Sequence, residues 1–436
     1  MAYVGMAYYV VLFGLGTLQL RRAGLSLRTQ ETAAREPGGS RGYRIYYVIA
    51  ALNEEQVIGR TVDRLVRGTT GQVIVVDDGS ADDTSEQARL AGGDRITVLR
   101  RELPNARRGK GEALNHALRH IVADTRADGA DPRSVLVCVM DADGELSPGA
   151  ETLFAEQFTD PAVGGVQLAV RIRNNAKVIT RVQDVEFWLI SALSQFGRMR
   201  TGTVSLGGNG QCTRLSALLD VGEAPWSRSI TEDLDLSISF NVLGWRTTSI
   251  ARAYVSQQGV TRFDTLLRQR TRWIQGTMQA TARIPEIWRS RALGNAGALE
   301  LCYYTLLPWI LILPAAVVQQ YLLVMAITDG GIVLGTVARG GLSGFGYGLL
   351  WYLTSFLPNL VMGFLYHRRT RQVSLGYALF LGHLLIIWNY IAYVSAFRAL
   401  GRIIIGRRNW AKTARVDERE GGEPCTETSF PVPASR

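Results

Sequence analysis

The amino-acid sequence predicts an α/β domain, with a mostly parallel sheet and helices on both faces, followed by an α-helical transmembrane region. Within residues 43–255, short apolar runs rich in β-branched residues alternate with helical patterns. This alternation is typical of a parallel sheet that is covered on both sides. Long apolar runs then occupy residues 299–327, 341–366 and 373–397, and each is long enough to cross a bilayer as a helix.

The composition favours a protein that contacts a lipid bilayer. The chain has 436 residues, of which 47% are hydrophobic and only 20% are charged, and it is too long for one ordinary domain. The net charge is +10, and basic residues stand beside the apolar runs, at Arg21-Arg22, His367-Arg368-Arg369 and Arg407-Arg408. This placement favours an anionic membrane face over nucleic acid as the partner. The four cysteines show neither metal-ligand nor disulfide spacing; they are Cys138, Cys212, Cys302 and Cys425.

Both ends of the chain lie outside the predicted α/β domain. Residues 1–20 carry no charge, and positive charge follows them instead of preceding them as it does in a signal peptide. We therefore predict a transmembrane helix at 1–22, with its carboxyl end in the cytosol, and a polar linker at 23–42. Residues 401–436 begin with a basic cluster and continue as a polar tail, which we expect to be disordered.

The elements of the α/β domain follow from local patterns. Strands are predicted where apolar and β-branched residues form short runs bounded by polar or turn residues, and helices where the apolar residues follow a helical period. The predicted strands are Tyr46–Ala50, Gln72–Val76, Ile96–Leu99 and Val135–Met140. The predicted helices are Glu54–Arg67, Asp82–Leu90 and Gly111–Val122.

Two further segments are amphipathic. Thr180–Met199 and Thr261–Trp288 mix aromatic and aliphatic residues with basic ones. Thr180–Met199 is either a helix lying on a membrane face or a surface helix of the soluble domain, and Thr261–Trp288 is the more basic of the two. We assign residues 256–298 as interfacial helices that join the α/β domain to the transmembrane region, 299–400.

Asp141 and Asp143 follow the strand that ends at Met140. Residues i and i+2 of a strand share a face, so both carboxylates point the same way. Open α/β sheets bind ligands at the carboxyl ends of their strands, and Mg²⁺ takes one or two protein carboxylates together with phosphate oxygens and water. The pair is therefore either a divalent-metal site or a solvated turn, since such acidic sequences are also common in turns.

Other polar clusters fall at predicted strand ends or helix starts. Asn53-Glu54-Glu55 and Asp77-Asp78-Gly79-Ser80 follow the first two strands, and Thr231-Glu232-Asp233 starts a later helix, where the helix dipole favours ionised carboxylates. A basic stretch with glycines, Arg107–Asn115, contains Lys110 and suits a diphosphate. Each cluster alone is as well explained by a cap, a turn or a basic loop, but their occurrence together in one domain favours a binding site.

Gln269, Arg272 and Trp273 lie three and four positions apart, so they share one face of a helix. An arginine can pair with phosphate, and a tryptophan ring can stack on the apolar face of a sugar. An amphipathic interfacial helix carries the same residue types, and the segment on its own favours that interpretation.

Four of these motifs, in their order along the chain, resemble the membrane-embedded family-2 glycosyltransferases, the group of cellulose, hyaluronan, chitin and poly-N-acetylglucosamine synthases. They are Asp77-Asp78-Gly79-Ser80, Asp141-Ala142-Asp143, Thr231-Glu232-Asp233 and Gln269-x-x-Arg272-Trp273. The resemblance covers residues 45–275 and implies a GT-A fold and a nucleotide-sugar donor, a UDP-sugar. Residues Gly207–Arg214 depart from the version in cellulose or hyaluronan synthase, which leaves the sugar undetermined.

The resemblance also implies a role for each site residue. Asp233 would be the general base, with Asp143 and Arg272 also in catalytic roles. Asp141 and Asp143 would hold Mg²⁺ or Mn²⁺ and the donor diphosphate, and Asp78 would contact the base. Gln269, Arg272 and Trp273 would close over the donor diphosphate and the acceptor sugar. The residues expected to bind the nucleotide sugar are Asn53, Glu54, Asp78, Lys110, Asp141, Gln269, Arg272 and Trp273.

These implications lead to one expected activity and two alternatives. We expect inverting transfer of a sugar to the growing end of a β-linked polysaccharide, by a multi-pass protein of the cell membrane whose catalytic domain is cytoplasmic. The alternatives are transfer of a single sugar to a lipid acceptor, and a non-catalytic membrane scaffold or transporter. We expect no nucleic acid partner.

The sequence gives two conflicting indications of the side of the membrane on which the tail lies. Three simple crossings after a cytosolic domain would place the tail outside, yet the basic cluster after residue 400 favours the cytosol. An even number of crossings resolves the conflict. Either the Gly-rich segment 328–350 holds a fourth crossing, or one run re-enters the membrane, with 299–327 as the best candidate.

Overall fold

The computed structural model describes residues 11–19 and 42–407. Residues 11–19 form a helix, α1, within the predicted membrane anchor. The rest of that anchor, the predicted linker as far as residue 41 and the tail after residue 407 lie outside the described residues. The fold that positions the site is therefore built from residues 42–407.

The centre of the domain is an eight-stranded mixed sheet. Its strands are β1 Arg44–Ala51, β2 Gln72–Asp77, β3 Ile96–Arg100, β4 Val135–Met140, β5 Glu145–Leu146, β6 Val163–Ile172, β7 Gln211–Arg214 and β8 Arg246–Gln257. They lie in the order β3-β2-β1-β4-β7-β6-β8-β5. β1 to β4 form a parallel block, whereas β7 is antiparallel to both β4 and β6. The four predicted strands are confirmed, and they are the four of the parallel block.

Helices cover both faces of the sheet, as predicted. They are α2 Ile58–Gly68, α3 Thr84–Gly92, α4 Lys110–Ala127, α5 Ala150–Gln157, α6 Val178–Asp184, α7 Ala192–Arg198, α8 Leu215–Val221, α9 Glu232–Val242, α10 Phe263–Ala280 and α11 Ile284–Arg289. Helix α2 begins four residues later than predicted because Asn53 takes a positive φ of 52°. The backbone N–H groups of Asn53 and Glu54 donate to the hydroxyls of Ser80 and Thr84 at 2.9 and 2.7 Å. These hydrogen bonds attach residues 53 and 54 to the segment after β2, so the two residues are not part of α2.

The core lies on both faces of the sheet because the central strand is buried on both. In β1, Tyr47 and Ile49 pack towards α2, α3 and α5, while Tyr46 and Val48 pack towards α4, α8 and α9. This alternation follows from the two-residue period of a strand. A strand with apolar residues at every position is what a two-sided core requires.

The segment predicted as the first amphipathic helix lies between the sheet and the membrane-proximal helices. It consists of α6, a wide π-helical turn at Val185–Ser191, and α7. On one side the Trp188 ring meets Tyr254 of β8 edge-on, with centroids 5.5 Å apart. On the other side the Tyr366 hydroxyl donates to Asp184 Oδ2 at 2.5 Å. The segment is therefore neither a helix lying flat on a membrane nor an exposed surface helix, because both its sides are covered by protein.

Long apolar helices follow the domain. They are α12 Asn295–Leu307, α13 Leu313–Arg339, α14 Gly341–Thr370 and α15 Leu375–Ile404. Within the described residues, Asn295–Met325 and Leu375–Ile404 are long and apolar enough to cross a membrane, and α14 is a third span if its two halves, which are bent by 49°, form one. The bend falls at residue 354, four residues before Pro358, because a proline ring clashes with the carbonyl four residues earlier in a helix.

The first part of the run 299–327 contacts protein instead of lipid. Leu301 of α12 is fully buried, in a cluster with Leu234 and Ile238 of α9. Glu300 forms an ion pair with the buried Arg198, at 2.7 Å between Oε1 and Nε. An acidic residue inside an apolar run is thus paired within the protein, and α12 connects the domain to the apolar helices that follow it.

No separate helix forms at 328–350, because α13 continues to Arg339 and α14 begins at Gly341. The structure therefore gives no separate helix for a fourth crossing in this segment. The bent α14 is a better candidate for a re-entrant segment than the run 299–327, since a sharp break divides it into two shorter helices. Two crossings after the domain would return the chain to the side on which it started.

We expect the tail after residue 407 to lie in the cytosol. Positive charge directly beside a membrane span has its strongest effect on orientation, and Arg402, Arg407, Arg408, Lys412 and Arg415 cluster there. A cysteine-labelling site or a reporter fused after Lys412 tests this placement. Labelling of the tail from outside intact cells would show that α14 crosses fully and that the charge argument fails.

Candidate functional site

A cavity of about 550 Å³ opens at the carboxyl ends of β1 and β4 and extends to α10. Of the predicted site residues, the structure places these in its wall: Glu54, Asp78, Lys110, Asp141, Asp233, Gln269, Arg272 and Trp273. Asn53 and Asp143 are not among the residues that line it. The cavity therefore gathers residues as far apart in the chain as Glu54 and Trp273.

Asp78 marks one end of the cavity. Its Oδ1 accepts a hydrogen bond from Arg101 Nη1 at 2.5 Å, and both side chains are largely buried. Burial raises the pKa of the Asp78 carboxyl, although Arg101 opposes that shift. Neighbouring Asn53 shapes this end without lining it, because its Oδ1 accepts from the backbone N–H of Ala81 at 2.8 Å.

Lys110 lines the cavity at the start of α4. Its Nζ donates to Asp141 Oδ1 and to the carbonyl oxygen of Gly208, both at 2.6 Å. Burial lowers the pKa of Lys110, but the surrounding carboxylates, first Asp141, outweigh it and the net shift is upward. The ammonium group is therefore held charged, within reach of the oxygens of an anionic ligand.

Asp141 and Asp143 differ in exposure. The Asp141 side chain is 28% exposed and faces the cavity, whereas Asp143 is fully buried and its Oδ2 accepts from the backbone N–H of Gln258 at 2.9 Å. Within residues 11–19 and 42–407, no group of three or more His, Cys, Asp or Glu side chains could hold a metal ion. Two carboxylates suit a divalent cation that takes its other ligands from a diphosphate and water, as Mg²⁺ does. The donor set therefore fits Mg²⁺ or Mn²⁺ bound together with a nucleotide sugar.

Two adjacent carboxylates, Glu232 and Asp233, open helix α9 opposite Lys110. Burial raises the pKa of Glu232 to about 7, and the charge of Asp233 adds to the shift. Burial also raises the pKa of Asp233, against the opposing effects of the Leu234 N–H, Lys110 and Arg272. The Asp233 Oδ1 accepts that N–H at 2.8 Å. A half-buried carboxylate of raised pKa, beside cations in a cavity, has the properties of a general base.

Replacement of Glu232 by Gln should stabilise the ligand-free protein at about pH 8 and change little near pH 4. The folded-state pKa of about 7 lies above the ordinary value of 4.5, so the folded protein holds a proton that the unfolded chain releases between these values. Stability is therefore lost as the pH rises through that window, and a neutral glutamine avoids the loss. Melting temperatures of both proteins in detergent at the two pH values measure the effect; a lower Tm for the variant at pH 8 would contradict it.

Helix α10 supplies the remaining wall. Gln269, Arg272 and Trp273 all face the cavity, as their spacing predicts. Between them, Arg270 is buried and pairs with Glu186 at 2.8 Å. This part of the second amphipathic segment thus forms a wall of the cavity. The apolar residues of α10 pack on α15, where Leu266 and Ile391 belong to one small hydrophobic cluster.

Some lining residues carried no recognisable signal in the sequence. Gln167 of β6 holds the loop 207–209 in place: its Oε1 accepts from the Gly207 N–H at 2.7 Å and its Nε2 donates to the Asn209 carbonyl at 2.9 Å. Glu186 and Phe187 come from the π-helical turn, and Tyr304 comes from α12. The glycine run at 207–210 was visible as a departure from the synthases, but its place in the wall depends on the pairing of β6 with β7.

Comparisons with known proteins agree with this architecture. A family model described as Glycosyltransferase like family 2 matches residues 43–276. The chain is 30% identical to the beta-monoglucosyldiacylglycerol synthase of Synechocystis sp. over 296 residues, 65% of this chain and 57% of that protein. It is 27% identical to the poly-beta-1,6-N-acetyl-D-glucosamine synthase of Staphylococcus aureus over 246 residues, 55% of this chain and 56% of that protein. The matches thus span little more than half the length of these relatives.

A solved structure shows the same fold. The mannosyltransferase from Pyrobaculum calidifontis, in complex with GDP-Man and Mn²⁺, aligns with 93% of this chain and 99% of its own, at a TM-score of 0.52 and 18% sequence identity. At this identity the likeness concerns the fold alone. The predicted GT-A type of α/β domain, followed by helices that could span a membrane, is confirmed.

Proposed function

The chain belongs to glycosyltransferase-like family 2. We propose that it transfers a sugar from a nucleotide sugar, a UDP-sugar, to a hydroxyl group of an acceptor at the membrane. The transfer inverts the configuration at the anomeric carbon. One observation carries the proposal. A single cavity is lined by a buried acid that pairs with an arginine, a lysine that pairs with a second acid, a third acid of raised pKa, and a tryptophan. These residues are Asp78, Lys110, Asp141, Asp233 and Trp273.

The donor would lie along this cavity. Asp78 would contact the base, with Asn53 and Glu54 shaping the loop beside it. Lys110, Gln269 and Arg272 would hold the diphosphate, because an ammonium and a guanidinium both match phosphate oxygens. Asp141 and Asp143 would hold Mg²⁺ or Mn²⁺, and such a cation, when bound, offsets negative charge on the leaving diphosphate.

The transfer itself would depend on Asp233. Its carboxylate removes the proton of the acceptor hydroxyl, and the oxygen attacks the anomeric carbon from the face opposite the diphosphate. The bond to the diphosphate breaks as the new bond forms, so an α-linked donor gives a β-linked product. Lys110 and Arg272 stabilise the negative charge that develops on the leaving group, which is the main electrostatic task of such a site.

We propose the growing end of a β-linked glycan as the acceptor, and a lipid as the second candidate. Trp273 lines the cavity and offers a flat aromatic surface, the kind on which a sugar ring stacks. The lipid candidate is favoured by the 30% identity to a glucosyldiacylglycerol synthase and by Tyr304 of the apolar helix α12, which reaches the cavity wall.

Release of nucleoside diphosphate from a panel of nucleotide sugars tests the activity, with the purified protein in detergent or bilayer discs. We expect release from at least one UDP-sugar. No release from any donor, with acceptors of both kinds present, would favour a scaffold without catalysis. The length of the radiolabelled product and its solubility in organic solvent separate the acceptors: a long water-soluble product indicates a glycan, and a single sugar in the organic phase indicates a lipid.

A further inference from the structure

The π-helical turn at Val185–Ser191 packs against α10, and both contribute residues to the wall of the cavity. Turns of this kind are rare and often occur at functional sites. Here two consecutive residues both reach α10. Glu186 Oε2 accepts from Arg270 Nη2 at 2.8 Å, and the Phe187 ring meets Trp273 edge-on, with ring centroids 5.8 Å apart and planes at 82°. The turn therefore contacts one expected site residue, Trp273, and Arg270, which lies between Gln269 and Arg272 on the same helix.

Arg270 connects these contacts. Its guanidinium carbon lies 4.5 Å from the centroid of the Trp273 ring and 5.2 Å from that of Phe187. A cation over a ring face is attracted by the electrons of the ring. The Arg270 side chain is only 10% exposed, whereas that of Glu186 is 31% exposed. A buried guanidinium needs a paired anion to stay in place, so Glu186 supports the stack on Trp273.

Glu186 also contacts the last membrane helix. The same oxygen, Oε2, accepts from the indole N–H of Trp388 in α15 at 3.2 Å. A polar contact also joins α10 directly to α15, where Arg402 Nε donates to Gln275 Oε1 at 2.7 Å. One carboxylate therefore bridges the wall of the cavity and the membrane region.

We propose that Glu186 is a positioning residue, which holds the Trp273 ring in place for the acceptor through Arg270 and ties it to the last membrane helix through Trp388. The statement that the ring is placed for the acceptor rests on the proposed function. The statement that Glu186 determines where the ring lies does not. A mere brace between helices would stabilise the fold without determining where the ring lies, and the experiments below separate the two roles.

The ring position is measured without turnover. The protein is labelled with 5-fluorotryptophan, and the Trp273→Phe variant identifies the ¹⁹F resonance of Trp273 among those of the nine tryptophans. We expect Glu186→Gln to shift or broaden this resonance. The matched control is Glu156→Gln, since Glu156 is 29% exposed and pairs with Arg252 at 3.0 Å, away from the cavity. An unchanged Trp273 resonance in Glu186→Gln would overturn the inference, whatever the protein catalyses.

Kinetics then test the consequence. Glu186→Gln should raise KM for the acceptor by roughly tenfold while KM for the donor changes far less, and Glu186→Asp should restore part of the loss. In a Trp273→Ala background the same substitution should have no further effect, because the ring that it positions is gone. Equal changes in both KM values, or effects that add in the double variant, would overturn the role. Absence of turnover in the unsubstituted protein would instead refute the proposed function, and the ¹⁹F result would still decide the ring position.

Discussion

Replacement of Asp233 by Asn should lower the turnover number by about 10²-fold or more while donor binding changes little. Asparagine keeps the shape of the side chain and an oxygen to accept the Leu234 N–H, which Asp233 accepts at 2.8 Å. It cannot take the proton of an acceptor hydroxyl. The loss should therefore appear in the chemical step and not in the affinity for the nucleotide sugar.

Initial rates at saturating donor, together with a separate measurement of donor binding, check this expectation. Asp235→Asn is the matched control, because Asp235 lies on the same helix but forms an ion pair with Arg283. Because burial raises the pKa of Asp233, the rate of the unsubstituted protein should increase with pH through that raised pKa as the base becomes ionised. Unchanged turnover in Asp233→Asn would move the base to another group, with Glu232 the nearest carboxylate.

Removal of the divalent cation should abolish transfer, and so should Asp143→Asn. The residues present fit a cation that shares the donor diphosphate, and without it the negative charge on the leaving group loses much of its compensation. Activity should disappear in EDTA and return with excess Mg²⁺ or Mn²⁺. In Asp143→Asn, added metal should not restore it, because one of the two carboxylates at the end of β4 is gone.

The buried position of Asp143 makes a fold control necessary. Asparagine can still accept the Gln258 N–H that Asp143 accepts at 2.9 Å, so the melting temperature should change little. Asp128→Asn is a surface control, since it breaks an exposed ion pair with Arg44 at 2.6 Å and should leave activity intact. Near-full activity in EDTA, or a fully active Asp143→Asn, would exclude the metal role and leave Lys110 and Arg272 as the groups that bear the diphosphate charge.

Local patterns in the chain were sufficient for the parallel half of the sheet. β1, β2 and β4 carry runs of apolar side chains buried on both faces, and such runs are recognisable because two-sided burial favours apolar residues at successive positions. β3 is an edge strand and only partly buried, but its β-branched residues give a similar local pattern. Strands β5 to β8 were missed. β5 has only two residues, and β6 contains Gly164 and Gly165, where an added Cβ would press on Trp245 or Leu206. The need for glycine at these two positions comes from side chains that are distant in the sequence, so local patterns do not reveal it.

The candidate site shows the same division. The order of the four motifs and the period of α10 were enough to select Asp78, Asp141, Asp233 and the three α10 residues that line the cavity, because strand ends and helix faces are local properties. Contacts between distant segments required the folded chain: the Lys110 bridge from Asp141 to Gly208, the complete burial of Asp143, and the carboxylate of Glu186 beside Arg270. Each joins side chains that only tertiary packing brings within hydrogen-bonding distance, and burial there is what raises the pKa of Asp233 and Glu232.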